Sequence, residues 1–334
     1  MNKILPGVIF SFLSLLPSLY SLDISSEEIA RMRREEGKKV YEMCRSLASL
    51  YELRENETFK DVTEDIYHHP VISDAVKERA KKQDRRFYIF SYPSSGIQVK
   101  GFLSLLPAPE KGNLLVMLRG GNRLFGVLPP ATRYSLIENM NVIGTTYRGS
   151  VGEGRDEFGG EDVADVAALV DYLPEIEQNL QVSLRQNRRF LLGGSRGGMQ
   201  MFLALARFPD LQEFFHKAVS LSGLLDLKET LKTRPDMKEM FVRDFGLEPG
   251  LNEREWIAHR NPMENAEKIS KDLPILIMQG SKDIRTSPEE GKNMFRALQS
   301  LGNKVEYMEF TDGDHCLKNM PDFEKILLSW FDEG

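Results

Sequence analysis

The sequence is poor in the residues that staple small folds or build metal centres. It has 334 residues but only two cysteines, Cys44 and Cys316, too few for a disulfide framework or a Cys-rich zinc site. One bridge between them and two free thiols are both open. Histidine is scarce as well, with five in the chain. His68-His69-Pro70 has no carboxylate or further histidine following at ligand spacing, so it reads as a turn rather than a metal site. Excess positive charge is missing too: the net charge is −6, which argues against nucleic-acid binding as a main role. No internal repeat, low-complexity tract or Walker-type glycine loop occurs, and the pattern calls for no metal and no cofactor.

A membrane-spanning run is also lacking. Residues 4–20 are apolar and uncharged after Met1-Asn2-Lys3, but Pro6 and Pro17 interrupt them, and a spanning helix needs about 20 apolar residues. With Ser18, Ser21 and Ser25 behind it, this stretch predicts a signal peptide over 1–21, cleaved near Ser21-Leu22. The expected location is secreted or periplasmic; the alternative is anchoring to the membrane through an uncleaved segment. No cysteine follows the run, so a lipoprotein anchor is not indicated.

What is present is a globular pattern, 41% hydrophobic and 28% charged, long enough for one large domain and an appendage. Residues 23–54 carry a helical stripe of Ile29, Met32, Val40, Cys44, Leu47 and Leu50, and a second helix is expected over 72–82. Together they make a helical N-terminal extension over 22–85. From residue 86 onward short β runs begin, with 87–92 and 97–105 flanking a Pro93-Ser94-Ser95-Gly96 turn. Apolar strands are expected at 114–118, 141–145, 190–192, 217–221, 274–278 and 305–310, and helices at 129–138 and 162–173 among others. Alternation of this kind predicts an α/β fold, a mostly parallel sheet with helices on both faces, over 86–334. Residues 225–261 interrupt the alternation, and Met237, Met240, Phe241, Phe245 and Trp256 mark them as a small helical cap. Core packing accounts for most of those side chains, and only some need face a substrate.

The stretch around which the rest can be placed is Gly193-Gly194-Ser195-Arg196-Gly197. It fits G-x-S-x-G between an apolar strand and a run of helix formers, the context of a nucleophile elbow. Partners for the serine should follow later strands at the same sheet edge. Asp283 follows the strand at 274–278, and His315 follows 305–310. The order Ser195, Asp283, His315 is that of the α/β-hydrolase fold. Asp312 and Asp314 compete with Asp283 for the acid, but they adjoin the histidine, where backbone geometry rarely allows the bond. A tetrahedral oxyanion would take the backbone N–H of Arg196 and a second donor from the loop after 114–118, where Gly120 and Gly121 lie.

These residues resemble the catalytic domain of the prolyl oligopeptidase family of serine peptidases. The resemblance rests on Tyr147-Arg148-Gly149-Ser150, on Phe158-Gly159-Gly160 with Asp162 and Asp165, on the elbow, and on the spacing of Asp283 and His315. It covers about 87–331. Arg119-Gly120-Gly121 stands where many members have His-Gly-Gly, which implies Gly121 as the second oxyanion donor. Full-length members carry a β-propeller that limits access; the residues before position 86 are too few and too helical for one. Arg119 and Arg196 depart from the family pattern. They are expected to pair with Glu153, Asp156 or Asp162, with a substrate carboxylate contact, at Arg119 above all, as the alternative. Arg148, Asp162 and Asp165 read as structural. The resemblance implies a peptidase for small peptides. A carboxylesterase on small acyl esters is the alternative, and a non-catalytic binding protein the reading outside catalysis.

Overall fold

Central strands that are apolar on both faces need cover on both sides, and this requirement sets the architecture. The computed structural model describes residues 26–333; the expected signal peptide, and the anchor that is its alternative, lie outside the described residues. The strands are β1 (Phe59–Asp61), β2 (Arg86–Ser94), β3 (Ile97–Leu105), β4 (Asn113–Leu118), β5 (Met140–Thr145), β6 (Arg189–Gly194), β7 (Lys217–Leu221), β8 (Ile275–Gly280) and β9 (Val305–Phe310). They form one sheet in the order β1-β2-β3-β5-β4-β6-β7-β8-β9. β1, β2, β3 and β5 pair antiparallel, and every pairing from β5 to β9 is parallel.

The helices are α1 (Ser26–Leu47), α2 (Thr63–His68), α3 (Asp74–Lys82), α4 (Ala164–Asp171), α5 (Leu173–Leu180), α6 (Arg196–Arg207), α7 (Asp210–Phe214), α8 (Leu227–Thr233), α9 (Pro235–Asp244), α10 (Glu253–Arg260), α11 (Pro288–Leu301) and α12 (Phe323–Asp332). Alternation along β4 sends Leu114, Val116 and Leu118 into one core and Leu115 and Met117 into the other. The first core takes Val166 and Leu169 of α4, Phe202 of α6, and Met294 and Leu298 of α11. The second takes Leu47 of α1, Ile66 of α2, and Phe323, Leu327 and Phe331 of α12. Both faces are therefore covered by helices. Among the described residues no helix is long and apolar enough to cross a membrane.

Two local expectations need correction. Residues 129–138 do not form a helix; only the 3-10 turn Tyr134–Leu136 is found there. Ser135 Oγ donates to the Pro130 carbonyl at 2.6 Å and accepts from Thr132 N at 2.6 Å, side-chain bonds that compete with helical ones. The N-terminal extension is not purely helical either. It supplies β1, whose Phe59 packs on Tyr88 and Phe90 with ring centroids 5.2 and 5.9 Å apart. The insert between β7 and β8 consists of α8, α9 and α10. Its Phe241 and Phe245 pack on Phe158 at 4.9 and 5.3 Å, and Trp256 Nε1 donates to the Phe245 carbonyl at 2.9 Å.

Candidate active site

Ser195 sits between the end of β6 and the start of α6 with φ 56° and ψ −125°, a conformation that a non-glycine residue holds only when its surroundings enforce it. Its backbone is pinned on both sides. Ser195 N donates to the Leu221 carbonyl at 2.9 Å, and its own carbonyl accepts from Gly198 N at 2.9 Å and Leu224 N at 3.1 Å. Glycine at 197 is required because a Cβ there would lie 2.7 Å from the Leu118 carbonyl carbon. The same closeness brings the loop after β4 against the serine: a Cβ on Gly120 would stand 2.8 Å from Ser195 Cβ and 3.3 Å from its Oγ. Gly121 follows with φ +71°, a region glycine enters without strain. Arg196 is the first residue of α6, where N–H groups have no intrahelical partner.

On the other side of the elbow, the loop after β8 holds Asp283. Its Oδ1 accepts from Arg285 N at 2.8 Å and Thr286 N at 3.1 Å. Its Oδ2 accepts from Thr286 Oγ1 at 2.9 Å and Gln279 Nε2 at 3.2 Å. His315 Nδ1 lies 3.0 and 2.9 Å from the two oxygens. Burial alone would raise the Asp283 pKa, but the imidazole and these donors outweigh it and hold the carboxyl at about 2. For His315, burial disfavours the charged ring, yet the Asp283 carboxylate, with Cys316 beside the ring, lifts its pKa to about 9.

The histidine turn is fastened from several directions. Cys316 N donates to Ser222 Oγ at 2.9 Å, Tyr134 Oη to the Cys316 carbonyl at 2.7 Å, and Arg133 Nη1 to the Lys318 carbonyl at 3.0 Å. Cys316 and Leu317 both take left-handed backbone, with φ 61° and 53°. The rival acids point elsewhere: Asp312 pairs with Lys282 at 2.6 Å, and Asp314 Oδ1 accepts from Asn319 N at 3.2 Å. Asp283 and His315 are thus in direct contact. Among the described residues no hydrogen bond joins the imidazole to Ser195 Oγ; such bonds often tighten only when substrate is bound.

The two arginines behave differently from a substrate anchor. Arg119 is expected to pair with Glu153, Asp156 or Asp162, with a substrate carboxylate contact as the alternative, and the structure corrects both. Only 2% of it is exposed, and its N–H groups go to the carbonyls of Thr146, Gly120, Phe125 and Arg123. Arg196 is equally buried. It pairs with Asp156 at 2.7 and 2.8 Å and Asp162 at 2.6 Å, and donates to the Gly121 carbonyl at 2.9 Å. Both guanidinium groups lie about 5 Å from the Tyr147 ring centroid, at 5.1 and 5.2 Å. Glu153 instead accepts from Gln98 N at 2.9 Å. Arg148 pairs with Asp165 at 2.7 Å, both side chains buried.

Sequence reasoning did not single out Gln279, Thr286 or Ser222, which orient the acid and the histidine turn, or Arg33 on α1, which reaches the carbonyl of Ile284. Gln279 and Thr286 sit within four residues of Asp283, so an acid-loop signal was at hand; nothing local marked Ser222 or Arg33. Among the described residues no group of three or more His, Cys, Asp or Glu could hold a metal ion.

Comparison with known proteins places the chain in a family. The model of the prolyl oligopeptidase family matches residues 136–334. The uncharacterized peptidase YtmA of Bacillus subtilis is 29% identical over 236 residues, 69% of this chain and 87% of that protein. The dipeptidyl aminopeptidase BIII of Pseudoxanthomonas mexicana is 28% identical over 52% of this chain, but that match spans only 25% of its own length. The acylaminoacyl peptidase of Pyrococcus horikoshii superposes with a TM-score of 0.59 at 19% identity, covering 73% of this chain and 41% of that one. An esterase of Pyrococcus furiosus superposes with a TM-score of 0.53 at 17% identity, over 75% of this chain and 91% of its own. At such identities the structural likenesses speak for the fold alone.

Proposed function

Since the chain belongs to the prolyl oligopeptidase family and is a serine-peptidase-type hydrolase, we propose that it cleaves peptide bonds in small peptides, with Ser195 as nucleophile. The observation that carries this reading is the Asp283–His315 contact at 2.9 Å, made at the same sheet edge as a serine in elbow conformation.

His315 accepts the Ser195 proton through its Nε2 as the hydroxyl oxygen attacks the scissile carbonyl carbon. Asp283 fixes the Nδ1–H tautomer and stabilises the imidazolium. The oxyanion is held by the N–H of Arg196 and by a second N–H from Gly121 or Gly120. Collapse of the tetrahedral adduct breaks the C–N bond, and the imidazolium protonates the departing amine. Water, deprotonated by His315, then attacks the acyl-enzyme and releases the carboxylic acid and free Ser195. Action outside the cytoplasm belongs to the same proposal and rests on the apolar stretch at 4–20. N-terminal sequencing of the exported protein should begin near residue 22.

A fluorophosphonate probe tests the nucleophile: it should label the wild type and fail to label Ser195→Ala. Failure to label the wild type would favour a binding protein. Parallel assays with p-nitrophenyl esters and with aminoacyl or prolyl anilides test the bond type. Turnover of esters alone would replace the peptidase with a carboxylesterase.

A further inference from the structure

Helix α1 is anchored at two points on opposite sides of the elbow. Near its start, Arg33 donates to the carbonyl of Ile284, the residue after Asp283, and stands 3.9 Å from Asp236 of α9. Arg234 grips the same loop from the cap, donating to the Arg285 carbonyl at 2.6 Å while pairing with Asp236 at 2.6 Å. Near its end, Cys44 Sγ accepts from Gly126 N at 3.2 Å, and Tyr51 Oη just beyond donates to the Leu128 carbonyl at 2.5 Å. One anchor is therefore on the loop after β8, the other on the loop after β4. In the sheet, β6 and β7 lie between those strands. From Arg33 to Cys44 a helix rises about 16 Å, and three strand spacings amount to about 14 Å. Anchored at both ends, α1 bridges the interval in which Ser195 lies.

Arg33, Gly37, Val40, Cys44 and Leu47 follow each other at helical spacing. None of them is exposed, whereas Arg34, Glu35, Lys38, Lys39, Tyr41 and Glu42 are. This is the inward face, and a glycine occupies its middle. Glycine in a helix interior is less stable than alanine by roughly 0.5–1 kcal/mol. Close packing does not account for it, because among the described residues a Cβ at Gly37 would meet nothing within 4 Å. Nor does backbone strain, since Gly37 is not among the positive-φ glycines. Among the described residues, the inward face thus has open space within 4 Å of its midpoint.

We infer that α1 is the specificity-determining roof of the active site: an extended peptide reaches Ser195 through the slot between α1 and the catalytic edge, and Gly37 sets its headroom. This rests on the proposed peptidase reading of Ser195. It makes short, unfolded peptides the substrate class and gives the N-terminal extension a function.

The test uses the full chain with Gly37→Trp, a substitution that fills the slot without placing glycine's helix cost on the fold, and Arg33→Ala/Asp236→Ala, which releases one anchor. Rates of cleavage are compared across an aminoacyl anilide and quenched-fluorescent peptides of increasing length, with fluorophosphonate labelling measured in parallel. For Gly37→Trp, the ratio of kcat/KM on the longest peptide to that on the anilide should fall roughly tenfold or more, the scale of a steric intrusion. In the anchor variant the same ratio should rise. Labelled Gly37→Trp enzyme that keeps the wild-type length profile would overturn the roof while leaving the peptidase intact. An unlabelled wild type would overturn the hydrolase reading and the roof with it.

Discussion

Arg196 Nη1 donates to the Gly121 carbonyl at 2.9 Å, so the residue after the proposed nucleophile holds the loop that faces it. In the proposed mechanism one residue would thereby offer its backbone N–H to the oxyanion and hold the glycine whose N–H would be the second donor. The guanidinium is itself locked by Asp156 and Asp162, and Asp156 also accepts from the backbone N–H groups of Arg123 and Phe158. Removing one member of a buried ion pair costs about 3–5 kcal/mol, so Arg196→Ala should unfold at markedly lower temperature. Arg196→Lys keeps the charge but, as a point donor, cannot serve both aspartates and the Gly121 carbonyl. For that variant we expect kcat to drop on the order of 10²-fold with little change in KM, as for a misplaced catalytic group. Steady-state kinetics beside a thermal melt separate this from a loss of folded enzyme.

The assignment of the acid predicts unequal effects at two aspartates. Asp283→Asn should lower kcat by about 10³ to 10⁴, since an amide at Oδ favours the wrong imidazole tautomer. Asp312 pairs with Lys282 and is 63% exposed at its side chain, and such pairs contribute about 0–1 kcal/mol. Asp312→Asn should therefore leave kcat within about twofold, given so small an interaction. The reverse ranking would reassign the acid.

Cys44 and Cys316 are both free thiols in the structure, which settles what their number alone left open. The denatured, unreduced chain should therefore titrate two thiols with a disulfide reagent. In the native protein Cys44 should react slowly, since burial pushes its thiol pKa up and only 1% of it is exposed. Cys44→Ala would leave Gly126 N without its partner. An unsatisfied buried donor costs about 1–3 kcal/mol; Gly126 N is only part-buried, so calorimetry should show a fall in melting temperature at the low end of that range.

The sheet was legible because β4, β6, β7 and β8 are near-continuous apolar runs, and because the acid follows one of them and the histidine follows the edge strand β9, whose apolar runs are shorter. Asp283 could be preferred over Asp312 and Asp314 from backbone proximity alone. Residues 129–138 misled because their apolar content is helical in spacing, while the Thr132–Ser135 side-chain bonds that prevent a helix are invisible to periodicity. β1 was missed because three residues carry no alternation to detect; its place is decided by Phe59 against Tyr88 and Phe90, a contact across about thirty residues of chain. Arg119 reads from the sequence as an ion-pair partner of Glu153, Asp156 or Asp162, with a substrate carboxylate as the alternative, because an arginine beside acidic residues most simply pairs with them. Only the fold reveals that carbonyls from four residues already occupy its donors.

The pH dependence should set activity against stability. With the His315 pKa near 9 rather than 6.5, the ring is mostly protonated at neutral pH and cannot accept the serine proton. The free-enzyme quantity kcat/KM should therefore climb about tenfold per pH unit and level off near that value. Asp283→Asn removes the larger of the influences that lift the ring and leaves only Cys316 against the burial that pulls the pKa down, so its limb should shift to lower pH even as its plateau falls. Linkage gives the opposite trend for folding. A folded-state pKa above the unfolded one contributes stability in full below 6.5 and loses it as pH rises through about 9. For Asp283, whose pKa is lowered from 3.8 to about 2, the contribution is present above 3.8 and lost as pH falls through about 2. The pair therefore stabilises most between those ranges, where turnover is low. Melting temperatures of wild type and Asp283→Asn should differ most at pH 5 and converge toward pH 9.5. A constant gap would mean that the imidazole does not carry this proton in the folded protein, and the kinetic limb would then belong to another group.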